Sequence, residues 1–217
     1  CKDIIQSGKY KQITLLGQNV NSYINPENES NFADLLKSIC NLDGDFKLTF
    51  MTSHPKDISD EVIDILANEP KLLKELHLPV QSGSSKILNK MNRKYTREHY
   101  LSIIEKIKQK IPDIRLTTDI IVGFPGETDE DFNITKENIK KIKFTELHVF
   151  PYSKREGTPA AIMKKQIDGN IKKQRVKELI EVSEELKNEY YKKFIGKSLE
   201  VLVETYSDGY LIGHLSN

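Results

Sequence analysis

The feature of this sequence that most constrains its fold is a recurring strand–loop–helix unit. Short apolar runs rich in β-branched residues end in polar or glycine-containing loops, and amphipathic segments with a 3.6-residue period follow several of them. The predicted strands are 12–16, 47–51, 75–80, 115–122 and 146–150. Units of about 30 residues predict parallel strands joined by right-handed crossovers. We therefore predict an α/β fold, with a partial parallel barrel favoured and a doubly wound open sheet as the alternative.

Capping residues mark where predicted helices begin, and the strand–loop–helix pattern gives way near the end of the chain to a long helix and a hairpin. Thr96 can cap one helix, and Thr128 with Asp131 resembles the capping box of another. A long amphipathic helix is predicted over 169–194. The alternating segment 197–204, followed by the turn YSDGY, predicts a β-hairpin that begins a small β domain.

The domain boundaries follow from this change of pattern. We predict an N-terminally truncated barrel over 1–160, a helix and linker over 161–195, and the truncated beginning of the β domain over 196–217. The sequence opens with Cys1 inside what reads as a helix and closes just after a predicted strand, so we expect a fragment of a longer protein.

Charge and cysteine content narrow the function classes only slightly. The 33 basic and 32 acidic residues give a formal charge of +1, which neither demands nor excludes a nucleic-acid partner. No apolar run approaches the roughly 20 residues of a membrane-spanning helix, so no membrane contact is predicted. The two cysteines cannot form a disulfide framework, which is typical of a cytoplasmic protein. The basic segment 164–197 is either a solvated helix face or a surface that contacts RNA.

The loops that leave the predicted strands are the candidate ligand-binding segments. They are 17–23, 52–57, 81–85, 123–127 and 150–159. In parallel barrels and sheets, ligands bind at the carboxyl ends of the strands, so these loops could line one polar pocket. The loop QSGSS suits a ribose or a carboxylate, or it is a turn that caps the next helix. The loop GFPGE lacks the lysine of a nucleoside-triphosphate loop.

Histidines and cysteines give weaker signals. His77 and His148 lie inside predicted strands, where a histidine is more often part of the core than a ligand, whereas His54 lies in a loop and could touch substrate. Cys1 and Cys40 have no second cysteine nearby, so no metal site made from this chain alone is predicted.

Taken together, five motifs resemble a known family. They are GQNVNSY, TSHPKD, LHLPVQSGS, TDIIVGFPGET and FPYSKREGTPA. In this order and spacing the chain resembles the tRNA methylthiotransferases of the radical S-adenosylmethionine (radical-SAM) superfamily, over essentially its whole length. The resemblance implies a partial (β/α)6 barrel of the radical-SAM type, followed by the start of a TRAM RNA-binding domain. It places the CxxxCxxC loop and the other 4Fe–4S cluster ligands upstream of Cys1, so this fragment alone is expected to be inactive.

The resemblance also implies an activity. Members of this family transfer a methylthio group to C2 of an N6-modified adenosine at position 37, in the tRNA anticodon loop, using S-adenosylmethionine and 4Fe–4S clusters. The later motifs slightly favour N6-threonylcarbamoyladenosine over N6-isopentenyladenosine as the substrate. A monomer is expected. The alternatives are an RNA-binding module without catalysis and a methylthiotransferase that acts on a ribosomal-protein aspartate.

Residue roles follow from the resemblance only where the motifs match. The implied cofactor-binding residues are Gly17, Gln18, Asn19, Gln81, Ser82, Ser84, Thr118, Asp119, Gly123, Phe150, Tyr152 and Ser153. Among them 17–19 would hold the methionine amino group, and 81–84 would hold the ribose and carboxylate. Lys154 and Arg155 are assigned to RNA and His54, by its loop position, to substrate. No catalytic residue and no metal ligand in this chain is assigned.

Overall fold

The computed structural model describes residues 1–51 and 53–215. The helices are α1 (Lys2–Gln6), α2 (Phe32–Cys40), α3 (Asp60–Asn68), α4 (Ser85–Lys90), α5 (Arg97–Lys110), α6 (Asp129–Ile142), α7 (Pro159–Ile162) and α8 (Gly169–Lys192). The strands are β1 (Gln12–Leu15), β2 (Lys47–Phe50), β3 (Glu75–His77), β4 (Arg115–Val122), β5 (Glu146–Pro151), β6 (Val201–Ser207) and β7 (Tyr210–Leu215). They belong to two compact units. Unit 1 contains 1–76, 107–115 and 194–215, and unit 2 contains 77–106 and 116–193.

Unit 1 is built on the parallel pair β1 and β2, with Gln12 opposite Lys47 and the register continuing to the end of both strands. Helix α2 begins at a capping box in which the Asn31 side chain accepts from the backbone N–H of Asp34, and the Asp34 carboxylate accepts from that of Asn31. Leu48 is fully buried in this unit, as are apolar side chains of α2 and α3. This packed apolar core fixes the ends of β1 and β2 and the loops that follow them.

The last described segment of unit 1 is a hairpin. Strands β6 and β7 pair antiparallel, with an irregularity between Val203 and Thr205. The turn consists of Asp208 and Gly209, both with positive φ (51° and 86°), which suits a tight hairpin turn. This confirms the predicted hairpin, although its first strand spans Val201–Ser207 rather than 197–204. Residues 216–217 of the predicted β domain lie outside the described residues.

A three-stranded sheet has the order β3-β4-β5. Unit 2 contains all of it except residues 75–76 and 115, at the starts of β3 and β4. Strands β4 and β5 are parallel, with Thr117 opposite Glu146 and the register running to Val122 opposite Pro151. Helix α6 begins at the predicted capping box of Thr128, and α8 packs on β5. The α/β class with parallel strands and crossover helices is thus confirmed.

Two further local details differ from the prediction. Strand β3 ends at His77 because Pro79 has no N–H and the N–H of Val80 donates to the Thr118 side chain at 2.9 Å rather than to a strand carbonyl. Helix α4 is not predicted, because its 6 residues are too few to show a helical period. Ser84, in the predicted loop, is its N-cap. Within the described residues, no helix is both long and apolar enough to cross a membrane.

Candidate functional site

A cavity of about 750 Å³ lies at the carboxyl ends of β4 and β5 in unit 2. Six of the predicted site residues line it, namely Gln81, Asp119, Phe150, Tyr152, Ser153 and Arg155. Apolar walls come from Met91, Phe124 and Met163, among others, while Lys90 and Arg93 add positive charge. This volume and this mixture of apolar walls with a few polar groups are typical of a site for a small organic ligand.

Gln81 has the most constrained backbone in this cavity. It adopts φ = 66°, a left-handed conformation that costs energy for a residue other than glycine, and it is only 8% exposed. Its N–H donates to the carbonyl of Asp119, and its own carbonyl accepts from the N–H of Ile121, both at 2.9 Å. These two bonds to β4 hold the strained residue in place at the cavity wall.

Tyr152 brings an unsatisfied phenol to the same cavity. Its Oη is buried and has no hydrogen-bond partner among the described residues. The ring is fixed edge-to-face against Phe124, with the centroids 5.2 Å apart, and its backbone N–H donates to the carbonyl of Val122. A buried hydroxyl without a partner costs about 1–3 kcal/mol, so a polar ligand atom at this position would be stabilised.

Asp119 lies between two histidines that the sequence pattern assigns to the core. Its carboxylate oxygens are 3.5 Å from Nε2 of His77 and 3.3 Å from Nδ1 of His148. Nδ1 of His77 lies 2.9 Å from the hydroxyl of Thr117. Burial acts to raise the pKa of Asp119, but the two imidazoles hold it below its usual value. The side chain of His148 is half-exposed, so the interpretation of both histidines as core residues was wrong for His148.

Ser82, Ser84 and Thr118 are buried and already hydrogen-bonded within unit 2. The Ser84 hydroxyl donates to the carboxylate of Asp131 at 2.8 Å, and it also caps α4. The Thr118 hydroxyl donates to the carbonyl of Leu78 at 2.9 Å. The alternative interpretation of QSGSS, a turn that caps the next helix, is confirmed. A contact between these three residues and the cofactor stays a prediction.

The GFPGE loop is held by a buried ion pair. The N–H of Gly123 donates to the carboxylate of Glu127 at 2.6 Å, and Nη1 of Arg175 on α8 donates to the same carboxylate at 2.5 Å. The other guanidinium nitrogen reaches Asp129 at 2.7 Å. Burial raises the pKa of Glu127, against the opposing effects of the Gly123 N–H and the arginine. This loop is therefore rigid next to the cavity.

The remaining predicted residues have different surroundings. Lys154 is exposed, beside the cavity-lining Arg155. Gly17 and Gln18 are exposed in unit 1, in the loop that follows β1. Nδ1 of His54 accepts from the N–H of Lys56 at 3.2 Å in the loop after β2.

Unit 1 has its own group of unsatisfied polar atoms after β1 and β2. Asn19 donates to Asp57 at 2.7 Å, but its Oδ1 has no partner among the described residues. The same holds for both amide atoms of Asn21 and for the hydroxyl of Ser53. Sequence reasoning missed Asn21 and Ser53, although both lie inside the quoted motifs GQNVNSY and TSHPKD. Such buried, unpartnered groups fit a polar ligand.

The donor set of this chain can also be compared with the two cofactors that the resemblance implies. Within unit 2, the unsatisfied hydroxyl of Tyr152 can donate and accept, so it fits a ribose hydroxyl of S-adenosylmethionine. Cys1 is exposed and Cys40 is buried, and the sequence has no further cysteine. These residues therefore cannot supply the three thiolates of a CxxxCxxC cluster loop.

The chain is similar to known proteins both in sequence and in fold. The model of the Radical SAM superfamily matches residues 1–139. A tRNA-2-methylthio-N(6)-dimethylallyladenosine synthase of Thermoanaerobacter sp. (strain X514) is 52% identical over 204 residues, which are 94% of this chain and 43% of the relative. The chain thus spans less than half the length of the curated relatives that it matches.

Two solved structures share the fold at low sequence identity. The coproporphyrinogen III oxidase of Escherichia coli, described as a radical SAM enzyme, has a TM-score of 0.55 at 20% identity over 71% of this chain and 36% of its own. A radical S-adenosylmethionine methyltransferase of Kitasatospora setae has a TM-score of 0.57 at 16% identity over 74% of this chain and 31% of its own. The fold is therefore that of a partial radical-SAM barrel, and the chain belongs to the Radical SAM superfamily.

Proposed function

We propose that this chain is the central part of a tRNA methylthiotransferase, which transfers a methylthio group to C2 of an N6-modified adenosine at position 37 of the anticodon loop. The observation that carries the proposal is that six of the predicted site residues line one cavity of about 750 Å³ in unit 2. The name of the Thermoanaerobacter relative, at 52% identity, supports the reaction class.

The proposed chemistry requires a cofactor because the C2–H bond of adenine is too weakly acidic for any protein base. S-adenosylmethionine with a reduced 4Fe–4S cluster would supply a 5′-deoxyadenosyl radical that abstracts this hydrogen atom. The part played by this chain is binding and exclusion of water. Gln81 and Tyr152 would hydrogen-bond the adenosine part of S-adenosylmethionine, and Phe124 and Phe150 would cover the faces of its adenine ring. The contacts of Gly17, Gln18 and Asn19 with the methionine amino group stay predictions.

For the substrate we propose N6-dimethylallyladenosine. The relatives that are 49–52% identical carry the methylthiolated product of this nucleoside in their names, and the slight preference of the motifs for the threonylcarbamoyl nucleoside has no support from them. The cavity walls formed by Met91 and Met163 also suit an apolar dimethylallyl group. Arg155 at the wall and the exposed Lys154 are proposed to contact the RNA backbone.

Deletion of the gene should abolish one methylthiolated nucleoside in the tRNA of the source organism. We expect 2-methylthio-N6-dimethylallyladenosine to disappear and N6-dimethylallyladenosine to accumulate, as measured by mass spectrometry of digested tRNA. Loss of 2-methylthio-N6-threonylcarbamoyladenosine instead would contradict the proposed substrate. Unchanged levels of both nucleosides would contradict the reaction, and mass spectrometry of ribosomal proteins would then test the aspartate-modifying alternative.

Gln81→Gly should weaken the binding of S-adenosylmethionine about ten-fold in the reconstituted full-length protein, because the carboxamide contact is lost. The free energy of unfolding should change by less than about 1 kcal/mol, since glycine adopts φ = 66° without strain. Equilibrium dialysis and urea unfolding measure the two quantities.

The matched control for this variant is Lys143→Gly. Lys143 has φ = 55° at the end of α6, is exposed, and does not line the cavity, so the change has the same backbone effect without a ligand contact. Its dissociation constant for S-adenosylmethionine should stay at the wild-type value. An equal loss of affinity in both variants would show that Gln81 acts through the backbone alone.

A further inference from the structure

Three potential metal ligands meet on neighbouring strands of unit 2. His77 ends β3, Asp119 lies on β4, and His148 lies opposite Asp119 on β5. One ligand atom from each residue can be chosen so that all three lie within 4.8 Å of one another. The two imidazole rings are stacked, with centroids 5.6 Å apart and 29° between their planes. The register of the sheet, rather than a flexible loop, therefore fixes this cluster.

The distances within the cluster suit a shared cation better than direct ion pairs. Two ligand atoms that each lie about 2.1 Å from a tetrahedral zinc ion are about 3.4 Å apart. Oδ2 of Asp119 lies 3.5 Å from Nε2 of His77, and its Oδ1 lies 3.3 Å from Nδ1 of His148, so a shared cation would contact both carboxylate oxygens. A charge-assisted hydrogen bond would be shorter, at about 2.7–2.9 Å.

Thr117 supplies the kind of outer contact that orients a metal-binding histidine. Its buried hydroxyl lies 2.9 Å from Nδ1 of His77. If Nδ1 carries the proton, Nε2 presents its lone pair to the carboxylate of Asp119. Two electron-rich atoms in this position are stabilised by a cation between them.

We propose that His77 Nε2, Asp119 and His148 Nδ1 form a mononuclear site for a divalent transition-metal cation of the zinc type, separate from any iron–sulfur cluster. Imidazole nitrogen and carboxylate oxygen are suitable ligands for such ions. Asp119 also lines the cavity, and the side chain of His148 is 47% exposed, so the remaining coordination positions are open to water or to a polar group of a cavity ligand. Asp119 would then contact that ligand through the ion. This proposal goes beyond the methylthiotransferase function and does not depend on it.

The test is metal binding to this 217-residue chain, freed of metal and kept reduced. Isothermal titration with Zn²⁺ should give one ion per chain, and the Co²⁺ complex should show d–d absorption without a thiolate charge-transfer band. His77→Ala and His148→Ala should each weaken the affinity at least ~100-fold, and Thr117→Val about ten-fold. His99→Ala, which removes a histidine on the exposed side of α5, is the matched control and should leave the affinity unchanged.

Three results would overturn the proposal. These are no binding below millimolar Zn²⁺, a thiolate band in the Co²⁺ spectrum, or an affinity that is unaffected by the His77 and His148 substitutions. Unfolding by urea shows whether each variant is folded, and His148→Ala, at the half-exposed position, is the variant least expected to disturb the core. None of these measurements requires S-adenosylmethionine cleavage, so failure here leaves the proposed enzyme function untouched.

Discussion

Arg175→Ala should lower the free energy of unfolding by about 3–5 kcal/mol, because it leaves a buried carboxylate without its counter-ion. The side chains of Arg175 and Glu127 are only 6% and 2% exposed, and they are 2.5 Å apart. Glu127 also accepts the N–H of Gly123, so the GFPGE loop should loosen in the variant. Urea unfolding followed by circular dichroism measures the loss.

Helix α8 offers a matched control in Lys177→Ala. Lys177 pairs with Glu181 at 4.0 Å, and both side chains are largely exposed, so its removal should cost less than about 0.5 kcal/mol. The double variant Arg175→Met with Glu127→Gln should lose less than Arg175→Ala alone, because no unpaired charge stays buried. Equal effects of Arg175→Ala and Lys177→Ala would contradict the role of the ion pair.

Gly83→Ala should destabilise unit 2 by about 1–3 kcal/mol through overpacking. An added Cβ would lie 2.6 Å from Cα of Thr135 and 3.2 Å from the carbonyl oxygen of Ile134, which are atoms of helix α6. The loop cannot move away freely, because the N–H of Gly83 donates to Thr135 and its carbonyl accepts from Asn138, both at 3.0 Å. The measurement is again the free energy of unfolding in urea.

Gly169→Ala provides the comparison, because among the described residues no atom outside its chain neighbours and the backbone of its own helix turn lies within 4 Å of the added Cβ at the start of α8. Its stability should stay within about 0.5 kcal/mol of the wild type, or rise slightly, since alanine favours a helix. A Gly83→Ala protein as stable as Gly169→Ala would show that the QSGSS loop and α6 adjust without cost.

Local signals in the sequence were sufficient for most elements of the fold. Apolar runs ended by glycine or proline marked the strands, and the Thr128–Asp131 capping box marked the start of α6. The early end of β3 was not predictable, because it depends on the side chain of Thr118 on another strand. Helix α4 was missed because it depends on a Ser84 cap rather than on a repeating apolar pattern.

Residues of the candidate site were predictable only where they lie inside a local sequence motif. The loops that contain Gln81 and Tyr152 were predicted from the strand ends, and the two residues were assigned by the family resemblance. Both residues line one cavity. The contacts of Arg175 with Glu127 and of His148 with Asp119 join residues far apart in the sequence, through strand register and helix packing. No local pattern contains that information.

The way the chain passes between the two units has a consequence for synthesis on the ribosome. Unit 1 combines 1–76 with 107–115 and 194–215, whereas all of unit 2 comes from the intervening stretches 77–106 and 116–193. The nascent polypeptide therefore cannot fold unit 1 completely before unit 2 has been synthesised. In most multidomain proteins, by contrast, the domains fold one after another from the N-terminus. Unit 2 can be completed first, while the opening 76 residues wait for a segment translated more than a hundred codons later.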